Sequence, residues 1–157
     1  MNNLIIRMKE VEDTQKFAEY IGKHIENDVF IALTGELGAG KTAFVQGLAK
    51  GMGIDGPITS PTFTIMNYYD SKIPLKHFDF YRLETEEDLY QIGWEEYGSD
   101  GVVVVEWADM FPRLLPPESI YITIEKEEGN ARKFHISWND NAPQKIIKEI
   151  TDYAACH

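Results

Sequence analysis

Eight residues limit what this chain can become. Gly35-Glu36-Leu37-Gly38-Ala39-Gly40-Lys41-Thr42 fits Gly-x-x-x-x-Gly-Lys-Ser/Thr, a spacing that folds backbone around a nucleotide phosphate. Its glycines permit positive φ and turn successive N–H groups toward one point, and a helix opening near Lys41 adds the positive end of its dipole. Lys41 then supplies a point charge for the β and γ phosphates, and the Thr42 hydroxyl is placed to ligate an accompanying Mg²⁺. The flanks agree: Val29 to Leu33 reads as a buried strand, and Phe44, Leu48 and Met52 recur at helical spacing.

Composition narrows the classes further. The 157 residues, 43% of them hydrophobic, suit one compact domain spanning residues 1–157. Fifteen basic against 26 acidic side chains leave a net charge of −11, which opposes broad contact with nucleic acid or an anionic membrane. Cys156 is the only cysteine, so no disulfide framework or cysteine zinc site is expected, in keeping with a reducing cytoplasm. No apolar run approaches the roughly 18 residues of a membrane helix, and the expectation is a cytoplasmic protein.

Periodicity along the chain predicts a strand over Leu4 to Met8, then a helix with Phe17, Tyr20, Ile21, His24 and Ile25 inward and Asp13 or Thr14 as cap. Ile65 to Tyr69 and Leu75 to Tyr81 read as an antiparallel pair beside the main sheet, and Thr85 to Leu89 as a helix start. Val102-Val103-Val104-Val105 has the makeup of a central parallel strand covered on both faces. Ile120 to Glu125 and Lys133 to Trp138 alternate around Glu127-Glu128-Gly129-Asn130 as a hairpin, and Pro143 opens a last helix with Ile146, Ile147 and Ile150 inward. The class expected is α/β, a P-loop NTPase fold with a mainly parallel central sheet flanked by helices, antiparallel additions and a C-terminal β-hairpin.

Ligands in open α/β sheets gather beyond the carboxyl ends of the strands, which puts weight on acids there. Glu106 closes the valine strand and is a candidate to hold Mg²⁺ or orient a water, the alternative being a solvated strand-end carboxylate. In His77-Phe78-Asp79-Phe80-Tyr81-Arg82, period two sets His77, Asp79 and Tyr81 opposite the two phenylalanines. Asp79 is the candidate acid there, with His77 and Tyr81 holding it by hydrogen bonds. Thr62, in Ser60-Pro61-Thr62-Phe63, is the candidate γ-phosphate sensor, with Ser60 or Thr59 able to serve instead. Trp107 either shields the site, faces a partner or packs in the core. Neither Asn-Lys-x-Asp nor Asp-x-x-Gly of guanine readers occurs, which favours ATP over GTP. The only arginines are Arg7, Arg82, Arg113 and Arg132, so no arginine-rich lid is expected and full activity calls for a partner's charge or surface.

Taken together, Gly35 to Thr42, Ser60 to Phe63, His77 to Arg82 and Val105-Glu106-Trp107-Ala108-Asp109 resemble the bacterial TsaE family, also called YjeE or YdiB, over nearly the whole chain. The resemblance implies a Mg²⁺-dependent ATPase serving TsaB and TsaD, which transfer threonylcarbamoyl to the anticodon-adjacent adenosine of tRNA; tRNA is then met indirectly, through that complex. By matching position it implies that Gly35, Gly38, Ala39, Gly40, Lys41, Thr42 and Ala43 bind ATP, that Thr42 and Glu106 hold Mg²⁺, and that Lys41, Asp79 and Glu106 support hydrolysis. It also suggests Glu12 and Arg132 against the nucleotide. The segment after Asn139 reads as individual to this chain and is compatible with no more than a surface helix. A small-molecule P-loop kinase and a non-hydrolysing, nucleotide-gated binding module are the competing functions.

Overall fold

The computed structural model describes residues 1–36, 38–58, 66–91 and 93–157. Its framework is one seven-stranded sheet: β1 (Asn2–Met8), β2 (Val29–Gly35), β3 (Met66–Tyr69), β4 (Leu75–Asp79), β5 (Val102–Glu106), β6 (Ile120–Lys126) and β7 (Arg132–Trp138), in the order β1-β7-β6-β2-β5-β4-β3. The middle four, β6-β2-β5-β4, run parallel. Antiparallel strands extend both sides, β7 and β1 beyond β6, and β3 beyond β4. The expected class stands, with one revision: β4 lies inside the main sheet, parallel to β5, and only β3 makes the antiparallel addition there. Strand β4 also stops at Asp79, so Tyr81 falls outside it.

Two apolar cores sandwich the sheet, as alternation along its central strands requires. On one face Ile31, Leu33, Val104, Ile122 and Ile124 pack with helices α1 (Val11–Lys23), α2 (Lys41–Gly51) and α5 (Gln144–Cys156). On the other, Phe30, Ala32, Val103, Val105, Phe78 and Phe80 meet the short helices α3 (Glu86–Gln91) and α4 (Trp94–Tyr97). Trp94 is the hub of this second core, its ring edge-on to Phe78, Phe80 and Phe30 at centroid distances of 5.0, 5.4 and 6.1 Å. Every residue of β5 is buried, as expected of a strand covered on both faces. Helix α5 is more than a surface helix, because Ile146, Ile147 and Ile150 enter the first core. Among the described residues no helix is long and apolar enough to cross a membrane.

Helix α1 starts earlier than its sequence suggested. Glu10 occupies the cap, and Asp13, three residues on, reaches back to accept the N–H groups of Lys9 and Glu10 at 3.1 and 3.0 Å. Thr14 is buried one turn inside. Helices α1 and α2 lie in unusually close contact, which hydrogen in place of a side chain makes feasible. A methyl group on Gly47 would sit 2.4 Å from the Gln15 carbonyl oxygen, and one on Gly51 would sit 2.1 Å from that of Glu19. Both obstacles are backbone, so neither can swing aside. Gly47→Ala or Gly51→Ala is therefore expected to lower unfolding free energy by about 2 kcal/mol, read from urea denaturation, whereas Ala at Gly53, where no described residue comes within 4 Å of the added Cβ, should do so only through its backbone conformation.

Candidate functional site

Strand β2 ends at the middle of the sheet, and the glycine octet carries the chain from there into α2. The approach to β6 is tight: a Cβ on Gly35 would stand 2.7 Å from the Ile124 carbonyl oxygen. The loop turns through an Ala39 N–H to Glu36 carbonyl bond of 3.0 Å, and Gly40, at φ 107°, caps α2, its carbonyl accepting from Phe44 N–H at 3.0 Å. That left-handed φ favours glycine strongly. Among the described residues no atom lies within 4 Å of where a Gly40 Cβ would be. Thr42 and Ala43 follow in the first turn of α2, half-buried.

Lys41 folds back beneath the loop. Only 5% exposed, its Nζ donates to the carbonyls of Gly35 at 2.6 Å and Glu36 at 3.1 Å and lies 4.4 Å from the centre of the Trp107 ring. Trp107 reaches that position through a left-handed turn at φ 58°, uncommon for a bulky residue, directly after β5. It is neither a core tryptophan nor wholly exposed, and Tyr81 packs on it at 4.8 Å between ring centres. Burial pushes the Lys41 ammonium below its ordinary pKa, and the carboxylates of Glu106, Asp79 and Asp109 pull the other way. Among the described residues none of these acids pairs directly with it.

The acids stand on one flank of the loop. Parallel register sets Asp79 beside Glu106 at the carboxyl ends of β4 and β5, on the same face as Leu33 and Val104. Glu106 is 4% exposed, and its Oε2 accepts a hydrogen bond from Nε2 of the fully buried His77. This corrects the expectation that His77 and Tyr81 side chains hold Asp79: the imidazole serves Glu106, and Tyr81 reaches Asp79 only through its backbone N–H, at 2.9 Å. His77 Nδ1 is buried without a hydrogen-bond partner among the described residues. Oε2 is thus engaged, and among the described residues no hydrogen bond to Oε1 accompanies it. Burial raises the Asp79 pKa; the Tyr81 N–H opposes this, and the neighbouring Glu106 charge adds to it.

The opposite flank is basic. Arg132 opens β7 and directs Nε to the Ala39 carbonyl at 3.0 Å and Nη2 toward that of Gly38 at 3.4 Å. The hairpin tip also touches the start of α1, where Asn130 Nδ2 donates to Glu10 Oε2 at 3.1 Å. Glu12 sits on the exposed side of α1 in a groove shared with Gln15, Gln46, Gly47 and Lys50, and makes no hydrogen bond or ion pair to the loop among the described residues. Thr62, with Thr59 and Ser60, lies outside the described residues. The structure thus brings Gly35, Gly38, Ala39, Gly40, Lys41, Thr42, Ala43, Asp79, Glu106 and Arg132 around one loop. Sequence reasoning missed the His77–Glu106 contact, since strand neighbours are not visible in period two alone; for Trp107 it offered a shield over the site, a partner contact or core packing, and left open that the ring lies against Lys41.

Could this set hold a magnesium ion? Among the described residues no group of three or more His, Cys, Asp or Glu forms a cage. Two adjacent carboxylates and a hydroxyl are instead the sparse oxygen donor set that Mg²⁺ takes when substrate phosphates and water complete its shell. A cavity of about 400 Å³ opens at the other, amino-terminal ends of β2 and β5, beside Val29, Phe30 and Trp94, away from this chemistry.

A sheet of this order, with a glycine loop and buried lysine leaving its central strand, defines the P-loop α/β class. Residues 8–134 match the family model described as "Threonylcarbamoyl adenosine biosynthesis protein TsaE". The tRNA threonylcarbamoyladenosine biosynthesis protein TsaE of Bacillus subtilis is 35% identical over 153 residues, 96% of each chain. That of Treponema pallidum is 41% identical over 118 residues, 74% of this chain and 87% of its own. The crystal structure of Bacillus subtilis YdiB superposes with a TM-score of 0.77 at 31% identity, covering 97% of this chain and 96% of that one. The chain belongs to the TsaE family, and its role lies in tRNA threonylcarbamoyladenosine biosynthesis.

The Asp79 environment has a measurable sign. A carboxyl whose pKa is raised on folding binds protons more tightly when native, so its contribution to stability falls as pH rises from the unfolded to the folded pKa. Asp79→Asn, which keeps an oxygen for the Tyr81 N–H, is expected to stabilise the protein at pH 7 and to lose that advantage as the pH is lowered through the carboxylate range, measured by thermal denaturation across pH.

Proposed function

We propose that this protein is a Mg²⁺-dependent ATPase that transfers no group to a substrate of its own and uses ATP binding and hydrolysis to reset a TsaB–TsaD assembly. The single observation that supports the reading most is Lys41: an ammonium held by carbonyls and an indole, under a glycine loop, with no carboxylate paired to it among the described residues. Such an arrangement favours an anion with several oxygens. Loop N–H groups from Gly38 to Ala43 would bind the phosphates, and Thr42 with Glu106 Oε1 would hold Mg²⁺. The ion supplies charge neutralisation on the phosphate oxygens. Asp79, beside Glu106, is placed to position an attacking water, and Trp107 shields the lysine from solvent. Work within the cytoplasm, reaching tRNA only through the assembly, follows from the same reading and from the acidic net charge of −11.

One assay separates the alternatives. Phosphate release from ATP with Mg²⁺ is expected to be slow for the chain alone and stimulated by TsaB plus TsaD. A kinase would release ADP only when an acceptor is present and would leave that acceptor phosphorylated, and a binding module would release no phosphate even in the assembly. Lys41→Ala is expected to weaken ATP binding by calorimetry at least about 100-fold, the loss of more than one charge-assisted hydrogen bond. Glu106→Ala should keep much of the binding and lose turnover; retained ATP affinity in the Lys41 variant would contradict the site.

A further inference from the structure

The hairpin flank carries a cation that the functional reading leaves without a task. Strand β6 pairs with β2 so that Ile124 lies opposite Gly35, where the loop begins, yet β6 continues two residues further to Lys126. Period two puts Lys126 on the same face as Ile122 and Ile124, the face that carries α1 and α2. Its position beside the loop is therefore set by strand register. The side chain follows: Lys126 Nζ lies 3.3 Å from where a Cβ on Gly38 would stand.

Nothing among the described residues neutralises this ammonium. The adjacent carboxylates are engaged elsewhere, Glu125 with His135 at 2.8 Å and Glu127 with Arg7 at 3.8 Å. Its cross-strand partner Arg132 is committed too, with Nε and Nη2 toward the carbonyls of Ala39 and Gly38 and Nη1 on those of Gly129 and Ala131. Arg132 braces the loop, and Lys126 remains with free donors. Moreover its charge acts against that of Lys41. In a chain of net charge −11, two like charges gathered at one loop are mutually unfavourable until an anion sits between them.

Resting on the nucleotide reading above, we propose that Lys126 is a second phosphate-binding cation, meeting the nucleotide's phosphate chain on the flank opposite the metal. Strand order assigns the flanks: β5 and β4, with Glu106 and Asp79, lie to one side of β2, and β6, with Lys126, lies to the other. The protein thus supplies from its own hairpin part of the positive charge that the scattering of its four arginines led us to expect from a partner.

The test is calorimetry of ADP and a non-cleavable ATP analogue against wild type, Lys126→Ala and Lys126→Arg, each with Mg²⁺ and with EDTA. Lys126→Ala is expected to bind both about tenfold more weakly whether or not Mg²⁺ is present, one charge-assisted hydrogen bond's worth, and Lys126→Arg to stay within about twofold of wild type. Lys126→Gln, which keeps the stem without the charge, takes the place of the alanine variant if thermal melts show that one unfolded. Wild-type affinity in the uncharged variant, or a loss seen only with Mg²⁺, overturns the assignment. Failure of the wild-type chain to bind either nucleotide would bring down the nucleotide reading itself, an outcome distinct from the other two.

Discussion

A buried ammonium that pairs with no carboxylate among the described residues is the constraint around which this site is organised. Lys41 is taken almost wholly out of water, a placement that is unfavourable unless the charge is compensated. Two loop carbonyls and the Trp107 ring supply partial compensation. Three carboxylates lie near enough to favour the charged form, yet stop short of pairing with it. Closing an ion pair would satisfy the lysine and remove its use. Held as it is, the charge is stable enough to fold and still open to an incoming anion.

Everything that surrounds Lys41 is positioned by the parallel strands. Because β6, β2, β5 and β4 run side by side, their carboxyl ends meet at one edge, and neighbours in register become neighbours in chemistry. One flank is acidic, through Glu106 and Asp79, and the other basic, through Lys126 and Arg132. That polarity gives a metal–phosphate ligand a direction. His77 adds a stiffening element beneath Glu106, since one carboxylate oxygen bonded to a buried imidazole leaves the carboxylate little rotational freedom.

Much of this was legible in the residues. The octet, its flanking strand and helix, the four valines ending in Glu106 and the late hairpin all carry local signals, and each appears where expected. What remained hidden depends on pairing across distance. Period two placed His77 and Asp79 on one face, but the partner strand decided that His77 would bond to Glu106 rather than to Asp79. Likewise Lys126 looks like any surface lysine until the offset of β6 against β2 is known. The resemblance singled out Arg132 as a nucleotide contact, but the spacing of the four arginines did not show that it would bond to the loop carbonyls. Gly47 and Gly51, four apart on α2, were an overlooked local signal, marking where α1 comes close.

The central claim is that the loop between β2 and α2 is where a nucleotide's phosphates bind. Backbone amide NMR during titration with a non-cleavable ATP analogue and Mg²⁺ tests it most directly. The expected result is that the largest shifts cluster at the amides of Gly38 to Ala43, with smaller ones at Glu106 and Lys126. Saturable shifts confined to the cavity at the amino-terminal ends of β2 and β5, or none at all, would contradict it.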